Sequence, residues 1–251
     1  LRLYAILDSV SCVGAYSFLI RPGETTIAEV QAILYFRETN HIAAVDPQRK
    51  PLRTLGMAPL TSMFWLGEGS ERKFSDYRRG VHDSDGLLIR MGNGETLWRP
   101  LSNPTEMRHQ RFAAKSIRGF GLMQRNRNFA DYQDIFNPYH QVPSVWVEPR
   151  GSWGEGEVNL VELNSQNEYL DNIVAFWDPK TKPEPLQPFQ FAYTLYWIQE
   201  SDLKQQFSPN RVTATRVGIH PRAAESRQFA IDFAGPVLSA MTETHPPKPV
   251  A

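Results

Sequence analysis

The segment that decides the fold is AEVQAILYF at residues 28–36, in which small and apolar residues fall at every second position. Successive side chains on a pleated strand point to opposite faces, so the alternation sends one set to a core and sends Glu29 and Gln31 to the other face. Residues 189–197 repeat the pattern. Both segments therefore predict long β-strands that bury one face.

Shorter runs of strand type occupy much of the rest of the first 200 residues, each bounded by Gly, Pro, Asn or Asp. They lie at residues 13–20, 87–91, 119–124, 145–147, 158–163 and 173–177. Helical periodicity is scarce: Phe129, Tyr132 and Phe136 are predicted to line one face of a short helix, and no amphipathic run is long enough for a βαβ crossover. The pattern predicts an all-β protein built as a large antiparallel β-sandwich.

The domain organisation follows from where the alternation stops. Residues 1–198 are predicted to form the sandwich, and the polar residues 199–210 a linker. Two further alternating strands, at residues 212–219 and 229–233, cannot close a sandwich of their own. Residues 211–251 are therefore expected to begin a second β domain, and since the chain opens on strand-like residues without a methionine, we expect it to be a fragment.

The charge balance and the cysteine count limit the classes of partner and of site that the chain is expected to have. The 251 residues include 27 basic and 27 acidic side chains, which argues against the broad basic surface of a nucleic-acid-binding protein. No stretch approaches the roughly 20 consecutive apolar residues of a membrane-spanning helix. The single cysteine, Cys12, allows neither an internal disulfide nor a thiolate zinc cluster. A neutral partner is predicted.

Two acidic segments carry the candidate chemistry: VHDSDG at residues 81–86 and EYLDN at residues 168–172. Each stands directly before an apolar strand, so a turn stabilised by its Asp or Asn side chains is an alternative interpretation. The Asp-x-Asp-Gly string does not predict calcium, because the further oxygen ligands and flanking helices of a calcium loop are missing. The nucleophile elbow, the phosphate loop and the His-Glu-x-x-His pair are also missing, and the six histidines are dispersed. No metal or cofactor is predicted.

Aromatic and arginine residues supply candidates for a sugar-binding cleft, because indole rings stack on the apolar faces of pyranoses. Trp177 and Trp197 end apolar alternations and are predicted to lie in the core, whereas Trp98, Trp146 and Trp153 stand among Gly, Pro, Arg and Glu. The 20 arginines outnumber the seven lysines, which suits multidentate hydrogen bonding to hydroxyls. The arginines nearest these rings, for which surface salt bridges are the alternative, are Arg99, Arg125 and Arg150.

Six collinear segments point to a known family. They are APLTSMFW (58–65), HDSDGL (82–87), LWRPL (97–101), GFGLMQR (119–125), PSVWVEP (143–149) and DNIVAFW (171–177). The series resembles the periplasmic glucan biosynthesis proteins G and D of Gram-negative bacteria, more closely the D type. The resemblance implies a large sandwich similar to galactose-mutarotase-type sandwiches, followed by an immunoglobulin-like domain. It also implies that the first strands of the sandwich and most of the second domain are absent here.

The resemblance implies a function as well. Family members handle osmoregulated periplasmic glucans of β-1,2-linked glucose, and the D type resembles an inverting glycoside hydrolase family that cleaves this backbone. On that basis Asp83 and Asp171 are the catalytic carboxylates. The sequence leaves open which is the acid and which is the base, and our hypothesis puts Asp171 on the base side and Asp83 on the acid side. Tyr139 and Glu168 are carried over as cleft residues. The other predicted substrate-binding residues are His82, Asp85, Trp98, Arg99, Arg125 and Trp146. One departure is the pair at residues 169–170, where relatives are expected to be more polar.

An inverting hydrolase needs one carboxyl to protonate the leaving oxygen and another, about 6.5–9.5 Å away, to deprotonate a water. One aspartate should therefore have a raised pKa, through burial or through a like-charged neighbour such as Asp85 or Glu168. The competing hypothesis is a noncatalytic glucan-binding or scaffolding protein that guides backbone branching or export. A periplasmic location with the signal peptide upstream, association with the glucan-synthesis machinery and a homodimer complete the expectations.

Overall fold

The structure, a computed structural model, describes residues 1–38, 54–68, 70, 75–199, 211–239 and 241. Within these residues the chain forms sixteen strands. The strands are β1 (Arg2–Asp8), β2 (Cys12–Arg21), β3 (Thr26–Phe36), β4 (Met57–Ser62), β5 (Phe64–Leu66), β6 (Val81–His82), β7 (Gly86–Arg90), β8 (Thr96–Pro100), β9 (Arg108–Lys115), β10 (Gly119–Met123), β11 (Ser144–Arg150), β12 (Glu155–Glu162), β13 (Ile173–Pro179), β14 (Pro188–Ile198), β15 (Arg211–His220) and β16 (Ala223–Ala234). The helical elements are α1 (Phe129–Tyr132), a 3₁₀-helix (Tyr139–Gln141) and α2 (Pro236–Ser239).

Two antiparallel sheets share one core. The larger has eight strands in the order β1-β2-β3-β14-β11-β10-β7-β8, and the smaller has four in the order β4-β13-β12-β9. Leu87, Phe120 and Val147 of the larger sheet lie in the same apolar cluster as Val158 and Trp177 of the smaller sheet. The predicted all-β sandwich is confirmed.

Strand β3 shows why the sequence pattern is decisive. Its small and apolar side chains at the predicted alternate positions are all buried: Ala28, Val30, Ala32, Leu34 and Phe36. Burying a Val, Leu or Phe side chain fully contributes about 1.5–3 kcal/mol, so a register slip of one residue, which would turn these side chains outward, is strongly disfavoured. Trp177 is also in the core, as predicted, with 0% exposure.

The predicted short helix is confirmed only in part. Helix α1 begins after Asn128, whose side chain accepts a hydrogen bond from the Ala130 N–H. It ends at Gln133, which adopts a left-handed conformation with φ 50°. The prediction that Phe136 lines the same helix face is therefore wrong, because the helix has ended before it. Phe136 instead lies in an exposed loop.

The two acidic segments contact the same short stretch of backbone: Met63, which follows β4, and Phe64, which begins β5. The Phe64 N–H donates to Asn172 Oδ1 at 2.8 Å, and Asn172 Nδ2 donates to the Phe64 carbonyl at 3.0 Å. The Asp83 N–H donates to the Met63 carbonyl at 2.9 Å. Because Asn172 directly follows Asp171, these hydrogen bonds bring two aspartates that are distant in sequence to one place.

The C-terminal strands pair with each other. The two predicted strands are present as β15 and β16, which form an antiparallel hairpin. The predicted linker, apart from Gln199, lies outside the described residues. The domain boundaries and the immunoglobulin-like second domain stay predictions. Among the described residues, no helix has the length and apolar character needed to cross a membrane.

Candidate functional site

Asp83 and Asp171 form an asymmetric pair. Asp83 is half-buried between β6 and β7, whereas Asp171 is exposed just before β13. Burial raises the pKa of the Asp83 carboxyl, and the charge of Asp171 raises it further, against a weaker opposing effect of a hydrogen bond from the Met63 backbone. The inner carboxyl therefore keeps its proton to a higher pH than an ordinary aspartate, because a buried negative charge beside a second carboxylate is unfavourable.

Tyr139 and Glu168 lie beside this pair. The Tyr139 hydroxyl donates a hydrogen bond of 2.9 Å to Glu168 Oε2. Burial raises the pKa of Tyr139, and the hydrogen bond to Glu168 and the charges of Glu168 and Asp83 raise it further. The phenol therefore stays protonated at neutral pH and acts as a donor. The charge of Asp83 acts on the pKa of Tyr139, so Tyr139 and its partner Glu168 lie close to Asp83.

Arg78 joins three carboxylates at this site, and sequence reasoning missed it. Its Nη1 lies 2.7 Å from Asp134 Oδ2 and 2.9 Å from Glu168 Oε2, while Nη2 lies 2.8 Å from Asp76 Oδ2. The Arg78 side chain is only 10% exposed, and hydrogen bonding to Asp76 and Glu168 raises its pKa although burial opposes this. Charge-assisted bonds to a guanidinium fork are among the strong hydrogen bonds of proteins. Arg78 therefore fixes three separate chain segments against one another.

His82 and Asp85, both predicted to bind substrate, are buried. His82 Nδ1 pairs with Gln124 Oε1 at 2.9 Å, and burial lowers the pKa of the ring, which is therefore neutral. The Asp85 carboxylate accepts hydrogen bonds from the backbone N–H groups of Arg125 at 3.1 Å and Asn126 at 3.2 Å. The structure gives both side chains a part in holding the loops around the aspartate pair.

Trp98 and Arg125 contact each other at the surface of the larger sheet. The Arg125 guanidinium lies 5.0 Å from the centre of the Trp98 ring, and Arg125 Nη2 lies 2.6 Å from Glu68 Oε2. A Cβ at position 86 would lie 2.1 Å from Trp98 Cζ2, so Gly86 is what allows the ring to pack on β7. One face of the predicted sugar-stacking ring is thus covered by a cation of the protein itself.

The remaining predicted binding residues have structural contacts. Arg99 donates to Gln110 Oε1 at 2.7 Å and contacts Glu162 Oε2 at 3.3 Å. Trp146 is 1% exposed, so the structure places it in the core rather than in a cleft. Gly119 makes this possible, because a Cβ there would lie 2.3 Å from Trp146 Cζ2. Trp153 is half-buried and packs against the core. Arg150 forms a salt bridge with Glu29, a residue of β3 whose side chain points away from the core.

A cavity lies at the opposite end of β13 from Asp171. It has a volume of about 530 Å³ and lies against the ends of β9, β12 and β13. Glu155 at its wall contacts Lys180 at 2.8 Å and Lys115 at 3.0 Å, and these hydrogen bonds lower the pKa of Glu155 to about 2. Each of these charged groups is thus paired with an opposite charge of the protein itself.

In the part of the chain that the structure describes, no group of His, Cys, Asp or Glu is arranged to hold a metal ion.

These features define an all-β sandwich protein with a paired-carboxylate site on its loops. Comparison with known proteins gives the family. Residues 1–251 match the family described as "Periplasmic glucan biosynthesis protein, MdoG". Similar proteins include "Glucans biosynthesis protein G" of Pseudomonas putida (strain W619), 43% identical over 97% of this chain and 41% of that protein. "Glucans biosynthesis protein D 1" of Ralstonia nicotianae is 47% identical over 94% of this chain and 45% of that protein.

The chain therefore belongs to the periplasmic glucan biosynthesis protein family, and the resemblance read from the six segments is confirmed. A third relative, "Probable glucans biosynthesis protein D" of Shewanella oneidensis, is 44% identical over 93% of this chain and 42% of that protein. Relatives of both the G and the D type are thus similar to this chain. The chain spans less than half the length of these three relatives.

Proposed function

We propose that this chain contains the acid–base pair of a periplasmic inverting hydrolase that cleaves β-1,2-linked glucan. The observation that supports it is the pair itself: the half-buried Asp83, whose pKa is raised by burial and by the charge of Asp171. The family description names glucan biosynthesis, and on that ground we take glucan as the substrate class. The β-1,2 linkage and the inverting outcome rest on the resemblance to the D type.

The two carboxyls have environments that suit opposite roles. Inversion requires a proton for the leaving oxygen on one face of the sugar and removal of a proton from water on the other face. Asp83 holds its proton to a higher pH than an ordinary aspartate, which suits proton donation. Asp171 is exposed, so water or a sugar hydroxyl reaches it directly from solvent. Asp83 is therefore assigned to the acid side and Asp171 to the base side.

Tyr139 and Glu168 have the role of orienting the sugar next to this pair. Glu168 Oε2 accepts hydrogen bonds from Tyr139 at 2.9 Å and from Arg78 at 2.9 Å, which fixes the carboxylate in position. We assign its other oxygen to sugar hydroxyls, because a carboxylate accepts at both oxygens. Association with the glucan-synthesis machinery and a homodimer remain part of the proposal as expectations from the family resemblance.

The test is reducing-sugar release from linear β-1,2-glucan by the full-length protein, measured from about pH 4 to pH 8. The value of kcat/KM is expected to fall as the pH rises through the raised pKa of Asp83, because the proton needed by the leaving oxygen is lost there. In Asp83→Asn, the residual activity is expected to lose this alkaline limb, since the amide has no titrating proton.

Two outcomes would contradict the proposal. An alkaline limb that is identical in Asp83→Asn would show that another group supplies the proton. Binding of glucan without turnover at every pH would reject the hydrolase and favour the noncatalytic scaffold. A matched control is Asp8→Asn, because Asp8 is an exposed aspartate on β1, at the opposite edge of the larger sheet from β7 and β8.

A further inference from the structure

Large apolar side chains stand in solvent next to the carboxylate site. We call them the apolar rim: Tyr77 (70% exposed), Ile135 (76%), Phe136 (88%), Tyr169 (82%) and Leu170 (55%). Leaving one such side chain in water forgoes about 1.5–3 kcal/mol of burial. Single exposed apolar residues are common, but several around one site mark a surface where a ligand binds.

The rim is held against the site by Arg78. One nitrogen of this residue, Nη1, contacts both Asp134 and Glu168. Asp134 Oδ1 accepts a hydrogen bond of 2.9 Å from the Phe136 N–H, so the tip of that loop is fixed to the same carboxylate. Tyr169 directly follows Glu168 in the sequence. The loops that carry Phe136 and Tyr169 are thus joined through a single nitrogen atom.

Both aromatic residues are presented on ordered turns rather than on loose loops. The Tyr169 N–H donates to Asn167 Oδ1 at 2.9 Å, which closes a turn just before the ring. Tyr77 is also held in place, because its hydroxyl donates a hydrogen bond of 3.3 Å to the Gln133 carbonyl. A ligand that meets the rim therefore loses little entropy to ordering of the protein, which favours binding.

The charges around the rim select a neutral ligand. The carboxylates of Asp76, Asp134 and Glu168 meet at the guanidinium of Arg78. Tyr139, which bonds to Glu168, is also close to Asp83, and Asp83 is close to Asp171. This excess of negative charge disfavours nucleic acids and other polyanions. It also disfavours a symmetric contact with a second copy of the chain, because the same acidic cluster would face itself. A glycan of neutral sugars has no such penalty, and its ring faces are apolar.

We propose that Phe136 and Tyr169, with Tyr77 beside them, are binding residues that stack on the pyranose rings flanking the linkage to be cleaved. The proposal rests on the proposed function for its ligand, a neutral glucan. It adds a site that neither the family resemblance nor the sequence patterns assign. In the sequence, Tyr169 and Leu170 differ from the more polar residues expected in relatives. The proposal gives these two apolar residues a role in binding.

The test measures the Kd for linear β-1,2-glucan by calorimetry, using the full-length protein with Asp171→Asn so that turnover is slow during the measurement. Phe136→Ala and Tyr169→Ala are each expected to raise the Kd by about 3- to 10-fold, the size of an aromatic stacking contact. Phe136→Trp is expected to restore binding. The matched control is Tyr4→Ala, because Tyr4 is an aromatic residue of similar exposure (74%) on the far strand β1.

The outcomes separate this proposal from the hydrolase proposal. An unchanged Kd in both alanine variants overturns the proposal that the rim binds sugar, whether or not the protein cleaves glucan. A raised Kd in the alanine variants but not in Tyr4→Ala supports the rim, even if the parent protein binds glucan without cleaving it. If Phe136→Ala raises the Kd but Phe136→Trp does not restore it, the effect reflects loop disruption and the stacking role is rejected.

Discussion

Asp171→Asn in the full-length protein is expected to lower kcat on linear β-1,2-glucan by about 10²- to 10⁴-fold, the contribution typical of a positioned acid or base. The asparagine side chain has nearly the same shape as that of Asp171 and lacks only its negative charge. Because Asp171 is exposed, the substitution leaves the core unchanged, and the KM is expected to change little. Asp83→Asn is expected to give a loss of the same order, since it removes the proton for the leaving oxygen.

The two single variants and the double variant are informative together. Groups that act in one chemical step give losses that do not add, so the double variant is expected to be little worse than either single one. The Asp171→Asn change also removes the charge that helps to raise the pKa of Asp83. Its residual activity should therefore have an alkaline limb at lower pH. Full activity in either single variant would remove that aspartate from the mechanism.

Arg78→Met is expected to lower the free energy of unfolding by about 3–5 kcal/mol, the usual cost of removing one partner from a buried ion pair. The side chain is 10% exposed and contacts three carboxylates, which would repel one another without it. Activity should fall in the same variant even at temperatures where it is folded, because Glu168 loses its fixed position. Urea unfolding followed by tryptophan fluorescence measures the first effect, and kcat the second.

The neighbouring residue supplies the control for this prediction. Arg79 is 76% exposed and lies 3.7 Å from Asp131, so Arg79→Met should change stability by less than about 1 kcal/mol. Arg78→Lys should be intermediate, because an ammonium cannot reproduce the fork that reaches separate carboxylates. Equal unfolding free energies for Arg78→Met and Arg79→Met would show that the cluster does not hold the loops.

The fold was predictable because its signal is local. In β3, alternate residues from Ala28 to Phe36 are buried, and the period of two in the sequence is the period of the pleat. Trp177 could be assigned to the core for the same reason. Local patterns failed where a distant residue decides: Trp146 looked like a cleft residue among polar neighbours, but Gly119 on the adjacent strand makes space for its ring in the core.

The candidate site was predictable only through the resemblance. Residues 81–86 and 168–172 fitted ordinary turns equally well, and nothing in their spacing shows that Asn172 bonds to Phe64 and brings Asp171 beside Asp83. Arg78 left no signal, because two of its three carboxylate partners come from segments far along the chain. Such long-range charge clusters are set by tertiary packing and have no periodicity to read.

The most direct test of the account is where glucan binds. A crystal structure of the full-length Asp171→Asn protein with a linear β-1,2-glucan oligosaccharide should place a glycosidic linkage between Asp83 and residue 171. Asp83 should reach the leaving oxygen directly or through one hydroxyl or water. Sugar bound only in the cavity between β9, β12 and β13, with none near Asp83, would contradict the account.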